Sequence, residues 1–413
     1  MAPLMKFAGK ELVKLYTYEL KDIYLFLKSV ANNPESFHIE KADEKRDKLK
    51  AIYEQILSLC PLDKTQFEEV KPDVKEENFE PRKQGTSKTD PDFQPRQHIY
   101  RRLRRPDDDP GDPKIRVNLN DTWSHHYPLG LQEEKLPYWC HYDLLGLFFS
   151  LMGPAQQNSG RFNFFLPLTA VYTRWCFTIG GSRKRTDLHD AQALAFVEKP
   201  GHGPAPAIFQ CTWGEGEESK VDFSLGASMG GQNFAAKPLP GWKTHLQRAR
   251  FDLLWNWNDI KSSKWTDSKN VVHDFGFGSS PGKTEFGNCG ETYPFIHMLG
   301  AHRKEGQDKV EGLALSPSFL IDEDLWNGYS LSKIYAESQT KRDPDDDIGY
   351  KYMWSPCPNC KHLITHVDIG MLDRFRPDKT PPSAADLEQG DGSAGKSGSL
   401  CRNKLSATSL NCK

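Results

Sequence analysis

Two short runs of residues have types and spacings that could do chemistry. The first is Gly287-Asn288-Cys289-Gly290-Glu291 and the second is Trp354-Ser355-Pro356-Cys357-Pro358-Asn359-Cys360. Cys357 and Cys360 are separated by two residues, so one helical turn lets both sulfurs reach a single ion, at about 2.3 Å each for zinc. Cys289 adds a third sulfur if the chain folds back on itself. Three protein ligands leave one coordination position open, the mark of a catalytic zinc rather than a closed structural one. Water in such a position becomes a nucleophile near neutral pH. Glu291 follows Cys289 too closely to be an easy fourth ligand. Its carboxylate can instead take a proton from that water and return it to a substrate as a general acid/base.

These side chains need elements to hold them. Phe295, Ile296, Met298 and Leu299 follow the first run, and Leu363, Ile364 and Val367 follow the second. Both sets suit helices, so each run is expected to open one. Free N–H groups and the helix dipole at an N-terminus favour thiolates. Pro356 suits a helix start, where its missing N–H costs nothing.

Upstream, Leu12, Tyr16, Leu20, Ile23, Leu27 and Val30 recur at helical spacing and predict one helix over 8–31, stopped by Asn32, Asn33 and Pro34. A second helix over 39–60 carries Leu49, Ile52, Tyr53, Ile56 and Leu59. Each has one apolar stripe, so the two are expected to pair as a hairpin over 1–60. Residues 61–136 are rich in Lys, Asp, Glu and Pro and read as a charged, disordered linker. Within it, Arg101-Arg102-Leu103-Arg104-Arg105 precedes Asp107, Asp108 and Asp109. That run reads either as a nucleic-acid or nuclear-import patch or as a solvated charge run beside its counter-charges.

Packed sequence resumes at about 137. A buried helix is expected over Asp143 to Met152, and two hairpin strands over Ala191 to Val197 and Ala207 to Trp213, although the first run also suits a helix. Leu246 to Ile260 reads as a helix, with Trp255 and Trp257 as core residues or stacking platforms for bases. Val310 to Leu315 reads as a strand, and 376–413 as a disordered tail. The glycine-dense run Gly226 to Gly231 fits neither dinucleotide nor Walker spacing, and Ser228 does not sit in a nucleophile elbow. Cys60, Cys140, Cys176, Cys211, Cys401 and Cys412 have no partner at metal spacing, and His125 and His126 read as loop residues.

The chain has 413 residues, of which 37% are hydrophobic and 27% charged, which leaves part of its length unpacked. A net charge of −2 gives no global signal for nucleic acid, so any such contact rests on local groups such as Arg183-Lys184-Arg185 or Arg248 and Arg250. The longest apolar run, Leu144 to Met152, is too short to span a bilayer. The first ten residues lack the order of a secretory signal. Nine unevenly spread cysteines argue against a disulfide scaffold, and an intracellular setting, cytoplasmic or nuclear, is expected.

The order Cys289-x-Glu291 followed by Pro356-Cys357-x-x-Cys360 matches the zinc-deaminase signature with Cys in the His position. In these motifs the chain resembles the cytidine-deaminase-like superfamily of zinc-dependent nucleotide and nucleic-acid deaminases. The Trp-Ser-Pro-Cys run is similar to the polynucleotide-editing members. The Cys-Gly-Glu-Thr-Tyr-Pro form is most like the fungal branch related to an Orientia toxin-like deaminase. The resemblance implies an α/β fold, a three-layer α-β-α sheet with an N-terminal helical extension, in a deaminase-like domain over 137–375 with its motif core at 185–375. It implies Zn2+ held by Cys289, Cys357 and Cys360, Glu291 as the catalytic acid/base, and Trp354, Ser355 and Asn288 as substrate-binding candidates. It implies a hydrolase that deaminates a nucleobase, cytosine in RNA or single-stranded DNA, once that base is unpaired or flipped. It further implies two strands after the second motif helix. The long gap between the motifs points to an insertion over Asp322 to Ile348.

Three other readings of the same residues exist. Cys357, Cys360, His362 and His366 would make a structural zinc cluster, although a cramped one. A thioredoxin-like pair would leave Cys289 and Glu291 unexplained. A non-catalytic, zinc-stabilised interaction protein would use the N-terminal helices to bind a protein partner and would have no need of Glu291.

Overall fold

The computed structural model describes residues 4–59, 124–126, 135–137, 141–179, 206–216, 220–229, 242–282, 284–300, 309–321 and 352–377. The basic runs at 101–105 and 183–185, the strand expected over 191–197, the insertion over 322–348 and the tail from 378 lie outside these residues. Cys60, Cys140, Cys401 and Cys412 lie outside them too.

A short ladder of β1 (Lys6–Phe7) and β2 (Lys10–Glu11) leads into α1 (Leu12–Tyr16), α2 (Leu20–Asn32) and α3 (Ala42–Leu59). The single helix expected over 8–31 is two helices. The break comes at Thr17 to Glu19, because the Glu19 N–H is taken by Asp22 Oδ2 at 3.3 Å in a capping box. The carbonyls freed at the end of α1 are claimed from elsewhere. Trp175 Nε1 donates to Leu15 O at 2.8 Å, and the Arg174 guanidinium donates to Tyr16 O. The helical apolar stripe is therefore spent inside the molecule, and α2 also packs against α3 as its pattern requires.

A small ladder pairs β3 (Ser124–His126) with β4 (Lys135–Pro137). Two helices then form the layer that the N-terminal helices cover: α4 (His141–Leu151) and, after a π-helical turn at Arg161–Phe165, α5 (Leu166–Ile179). Every residue of α5 is buried. An all-round buried helix shows no apolar stripe, which is why periodicity does not find it.

The main sheet has the order β10-β9-β5-β6, antiparallel throughout. It comprises β5 (Phe209–Glu215), β6 (Val221–Ala227), β9 (Val310–Leu315) and β10 (Met353–Trp354). The hairpin partner of β5 is β6. β6 eludes a sequence reading because its Gly226 and Ala227 look like turn residues. Alternation divides the sheet into two unlike faces. Phe209, Cys211 and Trp213 pair across the ladder with Ala227, Leu225 and Phe223. This aromatic face meets α4 and α5: Phe209 lies against Tyr172, and Trp213 stacks on Phe165 with ring centroids 4.3 Å apart. The opposite face carries Gln210, Thr212, Ser224 and Gly226.

Between β6 and β9 the chain forms α6 (Trp242–Trp255), α7 (Asn258–Lys261), a hairpin of β7 (Lys264–Thr266) and β8 (Val272–Asp274), and α8 (Thr292–Met298). α8 sits on the small-residue face. The helix expected over 246–260 is α6 plus α7, and Trp257 goes into the core while Trp255 remains 40% exposed, stacked on Phe275. After β10, α9 (Pro358–Val367) is followed by a 3-10 turn, Ile369–Phe375. That turn packs on β9, with Phe375 over Gly312, and Arg161 donates to the carbonyls of Arg374 and Arg376. No strand follows α9 among the described residues. Helix and sheet are therefore mixed in one buried cluster running from Phe7 to Phe375. No helix among the described residues is long and apolar enough to cross a membrane.

Trp175 joins the N-terminal helices to the core, stacked on Tyr18 and edge-on to Phe26 and Phe149. Trp175→Phe keeps most of the area but abandons Leu15 O, so it should lose about 1–3 kcal/mol. Trp175→Ala should lose about 3–5 kcal/mol. Urea denaturation measures both, and an unchanged midpoint in either would mean the N-terminal helices do not depend on this ring.

Candidate metal centre

The two cysteine motifs meet where α8 and α9 begin. Cys289 Sγ lies 3.4 Å from Cys357 Sγ, and Cys357 Sγ lies 3.5 Å from Cys360 Sγ. All three ligand atoms fall within 4.8 Å of one another, the one such group among the described residues. Both motifs sit at helix starts, though with different geometry. Cys357 is the N-cap of α9 with Pro358 at its first position, so Pro358, not Pro356, fills the place where an N–H is dispensable. Cys289 instead precedes its helix in a bend, and Glu291 is the residue that caps α8.

The bend is held by close packing. Gly287 has φ +89°, and a Cβ there would lie 2.4 Å from Gln247 O. Met229 N donates to Asn288 O at 2.9 Å, and the Asn288 side-chain oxygen accepts from Gln247 Nε2 at 3.2 Å. Cys289 O accepts from Thr292 N at 3.2 Å, Thr292 Oγ1 at 2.9 Å and Arg250 Nη2 at 2.9 Å. Arg250, a candidate phosphate contact by sequence, is therefore buried and committed to the protein interior.

The electrostatics follow from burial and crowding. The thiols of Cys289 and Cys360 hydrogen-bond to Cys357 and hold its thiol well below the usual range, helped by the N–H groups of Cys360 and Asn359 at the helix start. With charge gathered there, Cys289 is raised chiefly by its bond to Cys357, and Cys360 chiefly by burial. A cation would relieve that repulsion and bring all three thiols to the thiolate form. Glu291 is buried, and burial followed by the charge of Cys357 pushes its carboxyl up to about 7, with the Arg250 charge opposing.

The expected substrate-side residues are neighbours of Cys289 and Cys357 along the chain. Trp354 is 39% exposed at the end of β10. Ser355 Oγ is buried and has no hydrogen-bond partner among the described residues. Asn288 is half-buried, with its side-chain oxygen engaged by Gln247.

The four-ligand alternative fails on geometry. His362 Nε2 is paired with Ser263 Oγ at 2.9 Å, its ring packs against Phe275 and Phe286, and burial followed by the charge of His366 lowers its pKa to about 4. His366 is exposed and pairs with Asp259 O. Both histidines lock α9 onto α7 and its loop and turn away from the sulfurs.

Sequence reasoning missed Asn359. It is buried between the two α9 sulfurs in sequence, accepts from Gly282 N at 2.7 Å and donates to Thr284 O at 2.8 Å. It thereby ties the second motif to the loop that feeds the first. Its place between two ligand cysteines was the available signal.

No family model, curated protein or solved structure matches the chain.

Asn359→Ala strands Gly282 N and Thr284 O, so a loss of about 1–3 kcal/mol is expected. Metal affinity should fall about 10–100-fold, as for other groups that orient ligands. Chelator competition and thermal unfolding measure the two effects. Wild-type affinity in the variant would show that the loop tie does not govern the sulfurs.

Proposed function

We propose that the chain is a zinc-dependent hydrolase that deaminates a nucleobase, with a cytosine-type amine in RNA or single-stranded DNA as its substrate class. The observation that carries this reading is a three-sulfur cluster with a buried carboxyl two residues beyond one of its thiols. The donor set suits zinc. Sulfur separations of 3.4 and 3.5 Å approach the roughly 3.8 Å expected of tetrahedral zinc with 2.3 Å bonds. When bound, the ion supplies Lewis acidity and makes water nucleophilic near neutral pH.

The chain's own residues supply the rest. Glu291 is buried two residues beyond Cys289, where its carboxyl can exchange protons with a bound substrate. Its carboxylate would take one proton from the attacking water and give it to the ring nitrogen, then carry the water's second proton to the amine, which leaves as ammonia while the water oxygen takes its place on the ring. Its burial keeps those protons from bulk water. Ser355 Oγ offers an uncommitted hydroxyl, and Trp354 offers a partly exposed ring face, near Cys357 along the chain. Helices on both faces of the sheet, with both motifs at helix starts, support the layered cytidine-deaminase-like arrangement.

Wild-type protein should bind one zinc, and Cys357→Ser should lose it. Glu291→Ala should keep zinc and lose at least about 100-fold in turnover, the usual contribution of a positioned acid/base. The assay is metal stoichiometry with ammonia release from single-stranded DNA, RNA and free nucleosides. Zinc without turnover on any of them would favour a non-catalytic, zinc-stabilised protein, and no zinc would sink the proposal.

A further inference from the structure

The buried pair Arg250 and Asp143 has no place in the chemistry above, yet it touches the metal loop directly. Arg250 is 2% exposed and Asp143 3%, and Arg250 Nη1 lies 3.5 Å from Asp143 Oδ1. A buried ion pair is a poor source of net stability, since desolvation offsets much of the attraction. Its position calls for another account. The second guanidinium nitrogen, Nη2, donates to two carbonyls at once: Ala227 O at 3.1 Å, at the end of β6, and Cys289 O at 2.9 Å. The guanidinium plane also covers the Tyr293 ring, 4.8 Å from its centroid, in the first turn of α8. Asp143 belongs to α4, on the aromatic side of the sheet, whereas Cys289 leads into α8 on the other side. One side chain thus reaches round the end of β6 and fixes the peptide that carries a sulfur ligand.

We infer that Arg250, oriented by Asp143, is the positioning residue of the metal centre, setting the direction of the Cys289 sulfur through its carbonyl. This inference rests on the metal-centre reading, though not on the deaminase reaction. A planar fork is suited to the task. It can hold two carbonyls and a carboxylate simultaneously at fixed angles, which an ammonium on a flexible stem cannot. The neighbouring contact acts in the same direction, because Gln247, one turn earlier on α6, grips Asn288 Oδ1. α6 therefore holds two successive residues of the loop, and neither contact uses the Cys289 sulfur.

The test compares Arg250→Lys, Arg250→Met and Asp143→Asn with wild type, and uses Trp175→Phe as a control that destabilises the fold far from the loop. Zinc affinity is measured by chelator competition. Cobalt(II) is substituted for zinc, and its absorption bands report ligand geometry. Arg250→Met should weaken zinc binding about 10–100-fold and shift the cobalt bands, with Arg250→Lys recovering part of both. Asp143→Asn should move affinity and bands in the same direction by a smaller factor. Trp175→Phe should leave both unchanged despite its lower stability. If Arg250→Met does not fold, Arg250→Lys and Asp143→Asn carry the comparison. Wild-type affinity and bands in these variants, or an equal loss in Trp175→Phe, would overturn the inference. Wild-type protein that binds neither metal would overturn the metal-centre reading together with it. A protein that binds metal and responds as described but releases no ammonia would overturn only the deaminase reading.

Discussion

The start of α8 lies so close to β6 that Gly226 has no room for a side chain and Gly290 has little. A Cβ on Gly226 would sit 2.5 Å from Gly290 O and 2.7 Å from Pro294 Cδ, and one on Gly290 would sit 3.1 Å from Ile208 O. Backbone therefore rests on backbone. The seat sets the height of Cys289 and Glu291 above the sheet and brings Cys289 within reach of α9. Any side chain at Gly226 would lift α8 and separate its sulfur from the other two. Gly226, at the head of the glycine-dense run that matches no phosphate loop, is thus a packing surface, and its lack of a side chain is what the close approach requires.

The two faces of the sheet divide the labour. Phe209, Trp213, Phe223 and Leu225 fill the space against α4 and α5, where α1 and α2 add Tyr16, Tyr24 and Leu27 to one continuous apolar cluster. Large rings bury much area and tolerate little displacement, so this side is a rigid support. The other face is lined by small and polar residues, which lets α8 approach closely. Site precision depends on that contrast, since a helix seated on bulky side chains would sit farther away and less uniquely.

Electrostatics gives the sulfur cluster its character. Three thiols at these distances cannot all ionise without a cation, and hydrogen bonds from the Cys289 and Cys360 thiols, with the N–H groups at the start of α9, favour charge first on Cys357. The same crowding acts on Glu291, whose carboxyl is buried beside that charge. The three thiols and the Glu291 carboxyl thus share one local field, which the positive charge of Arg250 opposes at Glu291.

Local signals in the sequence determined the helices with one apolar stripe, a strand at 310–315 and one within two residues of 209–215, and which three cysteines cluster. Each is encoded within a few residues, by periodicity or by Cys-x-x-Cys spacing. The stop between α1 and α2 has a local part in the Glu19–Asp22 capping box, but the carbonyls it frees are claimed by Arg174 and Trp175 from a distant helix, which no short window shows. α5 was missed because a helix buried on every side has no stripe. The role of Gly226, the tie through Asn359, the diversion of His362 and His366, and the burial of Arg250 against Asp143 were decided only in the tertiary structure. All four depend on which segments lie within a few ångströms of one another, and long-range proximity is a property of packing that no short window of sequence contains.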